Sequence, residues 1–167
     1  MAADPGLRRL LLIGSVGCGK TTLMQRLLGL DQVYSKTQAV AGQAGIWDTP
    51  GEFIDTMWLK PALRQTSTNA ELVVFLQAAT VATAKIPPGF RSFFIQPVIG
   101  VVTKIDLATP DQIDHARHLL SLAGARPIFQ VDSLSGHGWD DLLPALRRPD
   151  CADPTGPIRR PVGDPAA

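Results

Sequence analysis

The chain has 167 residues, 45% of them hydrophobic and 19% charged, which fits one folded domain with a sizeable core and excludes a disordered polyelectrolyte. Sixteen Lys and Arg against fifteen Asp and Glu leave a net charge of +1. That balance gives no electrostatic footprint for nucleic acid or for an anionic membrane. Cys18 and Cys151 stand too far apart in the chain to read as a disulfide framework or a zinc site, which fits a reducing, cytoplasmic setting. No secretory segment is expected from Met1 to Arg9, and the run Leu10 to Ile13 is far too short for a membrane span.

Leu7 to Ile13 is a nearly continuous apolar run bounded by glycine, the pattern of a strand buried on both faces of a parallel sheet. A glycine-rich turn from Gly14 to Gly19 follows. Lys20 to Leu28 then has helical spacing, with Leu23 and Leu27 inward and Gln25 and Arg26 outward. Val33 to Gly45 is small, polar and broken by glycine, so it reads as a mobile loop leading into a short strand ending near Trp47. Thr56 to Thr68 can form an amphipathic helix with Pro61 in its first turn. Trp47 and Trp58 read as core packing.

Leu72 to Leu76 is the next buried strand, and Pro97 to Thr103 another with proline only at its start. The intervening Ala78 to Gln96 is short for a crossover helix and is interrupted by Pro87-Pro88-Gly89. One helix is therefore expected to be lost, leaving a sheet face for a partner or a second copy of the chain. Pro110 to Ala123 is a helix with Thr109 as N-cap and Gly124 as its stop. Ile128 to Val131 is a strand, and Trp139 to Leu146 closes the domain as a helix. Alternating strands and helices predict a three-layer α/β domain around a mostly parallel central sheet. Residues 1–148 form this domain; from Pro149 to Ala167 the repeated prolines predict a disordered tail.

Gly14-Ser15-Val16-Gly17-Cys18-Gly19-Lys20-Thr21 matches G-x-x-x-x-G-K-[ST] between a buried strand and a helix. Consecutive backbone N–H groups there can turn inward as an anion nest at a helix N-terminus. Lys20 is placed to reach the β- and γ-phosphates of a nucleotide, Thr21 to bind Mg²⁺, and Thr22 to flank them. Cys18 lies inside the loop, where the nest and Lys20 can lower its pKa, although a small tolerated side chain is the simpler reading.

Asp48-Thr49-Pro50-Gly51 follows the strand ending at Trp47. An Asp there holds Mg²⁺ through water, and the Gly51 N–H can sense the γ-phosphate. Thr103-Lys104-Ile105-Asp106 has the form [NT]-K-x-D. The Asp106 carboxylate can accept two hydrogen bonds from guanine, whereas adenine offers no donor at the ring position; such a site discriminates by about 10⁴. Lys104 covers the base. After the last strand, Asp132-Ser133-Leu134 takes the place of a loop whose backbone N–H groups contact the guanine carbonyl, through Ser133 and Leu134. Asp132 is expected to repel Asp106 and weaken guanine binding.

With those motifs placed, the chain resembles the EutP/PduV family of ethanolamine- and propanediol-utilisation proteins, small Ras-like P-loop GTPases. The resemblance runs over roughly Leu7 to Leu146 and rests on Gly14 to Thr22, Tyr34 to Ala39, Asp48 to Glu52, Pro87 to Phe90 and Pro97 to Asp106. It implies a small, reduced G domain binding Mg²⁺ and GTP or GDP, cytoplasmic and associated with a bacterial microcompartment, with shell proteins or pathway enzymes as partners. It also implies Thr37 as the effector-loop threonine that binds Mg²⁺ and the γ-phosphate. Glu52 falls where Ras-like enzymes use Gln to orient the attacking water, so slow intrinsic hydrolysis is expected. Arg64 and Arg91 are the candidates for an arginine finger only by being near the right segments, and surface roles suit both better. Kinase-like use of ATP on a small carboxylate such as acetate is the competing activity that the resemblance brings with it. A nucleotide-binding scaffold on a shell is a third.

Overall fold

A computed structural model describes residues 6–29, 41–43, 45–49 and 60–149. The elements run β1 (Leu10–Gly14), α1 (Lys20–Leu27), β2 (Ala41–Gln43), β3 (Ile46–Asp48), α2 (Lys60–Ser67), β4 (Leu72–Ala78), β5 (Val98–Thr103), α3 (Pro110–Ala123), β6 (Ile128–Gln130) and α4 (Trp139–Leu146). They form a six-stranded sheet in the order β2-β3-β1-β4-β5-β6. All neighbours pair in parallel except β2, which runs antiparallel to β3.

Period-two alternation along β1 builds the two cores. Leu10 and Leu12 face the layer of α1 and α4, joining Leu23, Leu27, Leu142 and Leu146. Leu11 and Ile13 face the opposite layer, with Phe75, Val102, Ala116 and Leu120. Every residue of β1, β4 and β5 is buried, as strands covered on both faces require. Helix α3 starts on a capping box: the Thr109 hydroxyl accepts from the Gln112 amide while the Gln112 side chain accepts from the Thr109 amide. It stops at Gly124 in the left-handed region.

Three expectations change. The predicted loop Val33 to Gly45 contains β2, because the outer edge of β3 needs partners for its backbone groups and pairs Ala41 with Asp48 and Gln43 with Ile46. The predicted strand Leu7 to Ile13 begins only at Leu10, since Leu7 instead bridges Arg147 at the end of α4. The crossover from β4 to β5 indeed has no α-helix, only a 3₁₀ turn at Phe90–Phe93, yet no bare sheet face results. Ile86 and Phe94 are buried against Phe75, and Phe90 and Phe93 pack on the same cluster. The rings of Phe90 and Phe94 both lie 5.8 Å from that of Phe75. Aromatic side chains thus cover what a helix would.

Candidate nucleotide site

In this sheet the chain leaves β1 toward β3 on one side and later toward β4 on the other, so the carboxyl end of β1 is the place where a crevice opens. The glycine-rich loop starts there. Gly14 must be glycine: a Cβ would run into Cys18 Sγ and lie 2.8 Å from the Leu76 carbonyl oxygen. The Cys18 amide donates to the Ser15 carbonyl at 3.2 Å, closing the turn. Val16 is exposed at its tip, and Gly17 and Gly19 both have positive φ. Lys20 opens α1 and is buried, its Nζ donating to the Gly14 and Ser15 carbonyls at 2.8 Å each. Its ammonium is therefore held at the mouth of the phosphate loop.

Thr21, next on α1, donates from Oγ1 to Asp48 Oδ2 at 2.7 Å, and Asp48 is wholly buried at the end of β3. A hydroxyl and a carboxylate brought together beside a phosphate loop are hard oxygen donors, the set that suits Mg²⁺. Thr22 is half-buried in the first turn. Thr49, also buried, fixes the end of β3 by donating from Oγ1 to the Leu12 carbonyl at 2.8 Å. Thr37, Gly51 and Glu52 lie outside the described residues, as does Trp58.

The third motif reaches the same place from β5. Thr103 is buried and donates from Oγ1 to the Cys18 carbonyl at 2.6 Å, so its hydroxyl holds the phosphate loop rather than facing a base. Lys104 takes a left-handed conformation, φ 57°, which turns the chain sharply out of β5 and leaves Asp106 exposed.

The last loop departs most from expectation. Asp132 is buried, and its two oxygens accept from the Leu134 and Ser135 amides at 2.8 Å each. Burial pushes its pKa up, but the Ser135 and Leu134 hydrogen bonds and the nearby Arg26 charge outweigh that and leave it lowered. The carboxylate is thus an organiser of its own loop, its charge engaged by two backbone amides and faced by Arg26. The Leu134 amide is likewise committed to Asp132, so it is not a donor to a base. Cys18 also differs: it is buried, and burial pushes its thiol up more strongly than Lys20 lowers it.

Residues 7–148 match the PduV-EutP family, described as ethanolamine utilisation - propanediol utilisation. The chain belongs to this family. Propanediol utilization protein PduV of Citrobacter freundii is 36% identical over 137 residues, covering 82% of this chain and 91% of the relative. The probable acetate kinase EutP of Escherichia coli (strain K12) is 30% identical over 142 residues, covering 84% and 89%. Among solved structures, translation elongation factor SelB from Methanococcus maripaludis shares the fold, with a TM-score of 0.58 and 19% identity in the apo form. That match covers 82% of this chain and 32% of SelB; the complex of SelB with the GTP analogue GppNHp gives 0.57 and 18%, covering 86% and 33%. The chain therefore spans about a third of that larger protein, and the likeness is one of fold.

On the PduV-EutP fold Arg91 separates clearly from the site. Arg91 donates to the Phe94 carbonyl at 2.9 Å and packs its stem against Gly124, at the edge of the sheet opposite the carboxyl ends of the strands. Arg64 is exposed on α2. Arg26, by contrast, which its helical position sets facing outward, bonds the Ser133 and Leu134 carbonyls. Nothing in its neighbours along the chain signals this, because the partners come from more than a hundred residues away. His115, exposed on α3, reaches the Ala82 carbonyl through Nε2 at 2.8 Å.

Proposed function

We propose that this PduV-EutP member is a Mg²⁺-dependent GTP-binding switch with slow intrinsic hydrolysis, serving ethanolamine or propanediol utilisation in the cytoplasm at a microcompartment. The observation that carries the reading is the single hydrogen bond from Thr103 to the Cys18 carbonyl. It ties the segment carrying Asp106 to the loop carrying Lys20, so a base reader and a phosphate reader sit on one rigid frame.

In this reading Gly14 to Thr22 wrap the phosphates and Lys20 leaves its carbonyls for the β- and γ-phosphate oxygens. Thr21 and Asp48 hold Mg²⁺, whose charge offsets that of the phosphates when it is bound. Thr37 and Gly51 follow the presence of the γ-phosphate, and Glu52 orients the attacking water. Asp106 reads the guanine edge, Lys104 covers the base, and the Ser133 amide is assigned to the guanine carbonyl. Phosphate-dependent ordering of the loops around Thr37 and Gly51 is the switch, read by shell proteins or pathway enzymes.

The name of the EutP relative favours a second reading, phosphoryl transfer from ATP to acetate. Calorimetry on one preparation separates the two. With Mg²⁺, GTP and GDP are expected to bind about 10²-fold or more tighter than ATP and ADP, and Lys20→Ala to abolish binding of all four. ATP preference with acetyl phosphate formed on adding acetate overturns the switch reading and selects the second.

A further inference from the structure

Two successive peptide groups in the loop after β6 are gripped from both sides. In the group joining Ser133 to Leu134, the carbonyl accepts from Arg26 Nη1 at 2.7 Å and the amide donates to Asp132 Oδ1 at 2.8 Å. In the group joining Leu134 to Ser135, the carbonyl accepts from the same Nη1 at 3.1 Å and the amide donates to Asp132 Oδ2 at 2.8 Å. A cation on one side and an anion on the other thus hold both peptide dipoles in line between them.

The cation comes from the phosphate-binding helix. Arg26 lies in the last turn of α1, six residues after Lys20, a rise of about 9 Å along the helix. Its guanidinium is fixed in place by Trp139, the first residue of α4, with Cζ 5.0 Å from the ring centroid. Room for it is left at Gly136, where a Cβ would collide with Arg26 Nη2 and where φ is +90°. A flat guanidinium can lie on a ring while its N–H groups reach two carbonyls in its own plane; an ammonium cannot do both.

We propose that Arg26 and Asp132 act as a paired clamp in which Arg26, a positioning residue on α1, fixes the base-recognition loop to the phosphate-binding helix. The clamp sets the orientation of the peptide groups beside the Ser133 amide, so base selection depends on a side chain of the phosphate helix. That consequence rests on the guanine-binding reading above; the clamp itself does not. It also reverses an expectation: replacing Asp132 lowers guanine affinity instead of raising it.

Amide hydrogen exchange on the nucleotide-free chain tests the clamp without reference to any ligand. Arg26→Ala is expected to speed exchange at Leu134 and Ser135 about tenfold or more, with Arg26→Lys between it and the parent, while α3 amides stay unchanged. Unchanged exchange at those two amides overturns the proposal, and Trp139→Leu, which removes the platform and keeps an apolar side chain against the core, provides a second variant should Arg26→Ala fold poorly. Binding then tests the consequence. Arg26→Ala and Asp132→Ala are expected to weaken GDP by about 10- to 100-fold and leave inorganic tripolyphosphate binding as it was. Equal loss of GDP and tripolyphosphate means a general loss of structure and overturns the positioning role. Faster exchange in Arg26→Ala together with a parent chain that prefers ADP over GDP keeps the clamp and rejects the guanine reading.

Discussion

The thiol of Cys18 sits 3.8 Å from Lys20 Nζ, and by charge alone it should be a reactive thiolate. It is not, because Lys20 also donates to two carbonyls and the sulfur is shut away from water. Desolvation wins over the nearby charge, and the pKa rises. Native protein at neutral pH is therefore expected to label at Cys18 with iodoacetamide at least about tenfold more slowly than a free model thiol. Mass spectrometry of the peptide containing it checks this; labelling at the rate of a free thiol would contradict it. That Thr21 meets Asp48, and the Thr103 segment the phosphate loop, was legible at this scale, since each motif sits next to a strand end. What they do there was less so. Thr103 looks like a ligand contact in the sequence and Asp132 like a charge that repels Asp106, yet both use their oxygens on backbone groups of the protein, and those partners lie beyond any local pattern or, for Asp132, depend on the exact turn.

Elements whose signals are local form where the sequence predicts them. Pro110–Ala123 carries its cap, its first-turn acid and its glycine stop within the segment, and forms as such. Strand β2 carries none; it exists because β3 offers it an edge. The segment between β4 and β5 lacks an α-helix, as its prolines predict, yet does not bare the sheet; that cover is not legible in the sequence, because Phe90, Phe93 and Phe94 follow no periodicity that marks which way they point. On the same side of the sheet, Gly100 in β5 has no space to spare: a Cβ would lie 3.1 Å from Ile128 and 3.2 Å from both Ala125 and Leu120. Gly100→Ala is expected to cost about 1–3 kcal/mol by overpacking the contact with α3, read as a lower urea midpoint with unchanged m-value. A midpoint equal to the parent's would mean that α3 moves away freely.

At the scale of the whole molecule, two carboxylates make stability depend on pH. Glu71 accepts from the Arg9 amide at 2.8 Å and pairs with Arg148 at 3.3 Å and Arg9 at 3.5 Å. The Arg9 amide chiefly holds its pKa down, against partial burial and with help from Arg148. Asp132 is lowered as described. For both, the folded state favours the ionised form, so their contribution is complete above the ordinary carboxylate range and is lost as pH falls through the folded values. The stability of the chain should therefore decline on acidification through that range. A Glu71→Gln, Asp132→Asn double variant is expected to start lower at neutral pH and decline less steeply. Urea midpoints taken across a pH series check it, and parallel curves would remove these two groups from the account.

Near Glu71 the two ends of the folded core are laced together. The Arg8 amide donates to the Leu146 carbonyl at 2.9 Å and the Arg148 amide to the Gly6 carbonyl at 2.8 Å, while Leu7 bridges Arg147. Five strands share one direction, so this seam lies at the pole where they begin, and the nucleotide cleft at the pole where they finish. An anchor or fluorophore attached at Pro149 thus sits on the far side of the molecule. The chain can be tethered by that pole with its cleft facing outward and unobstructed, and a label placed there reports on docking without touching the phosphates.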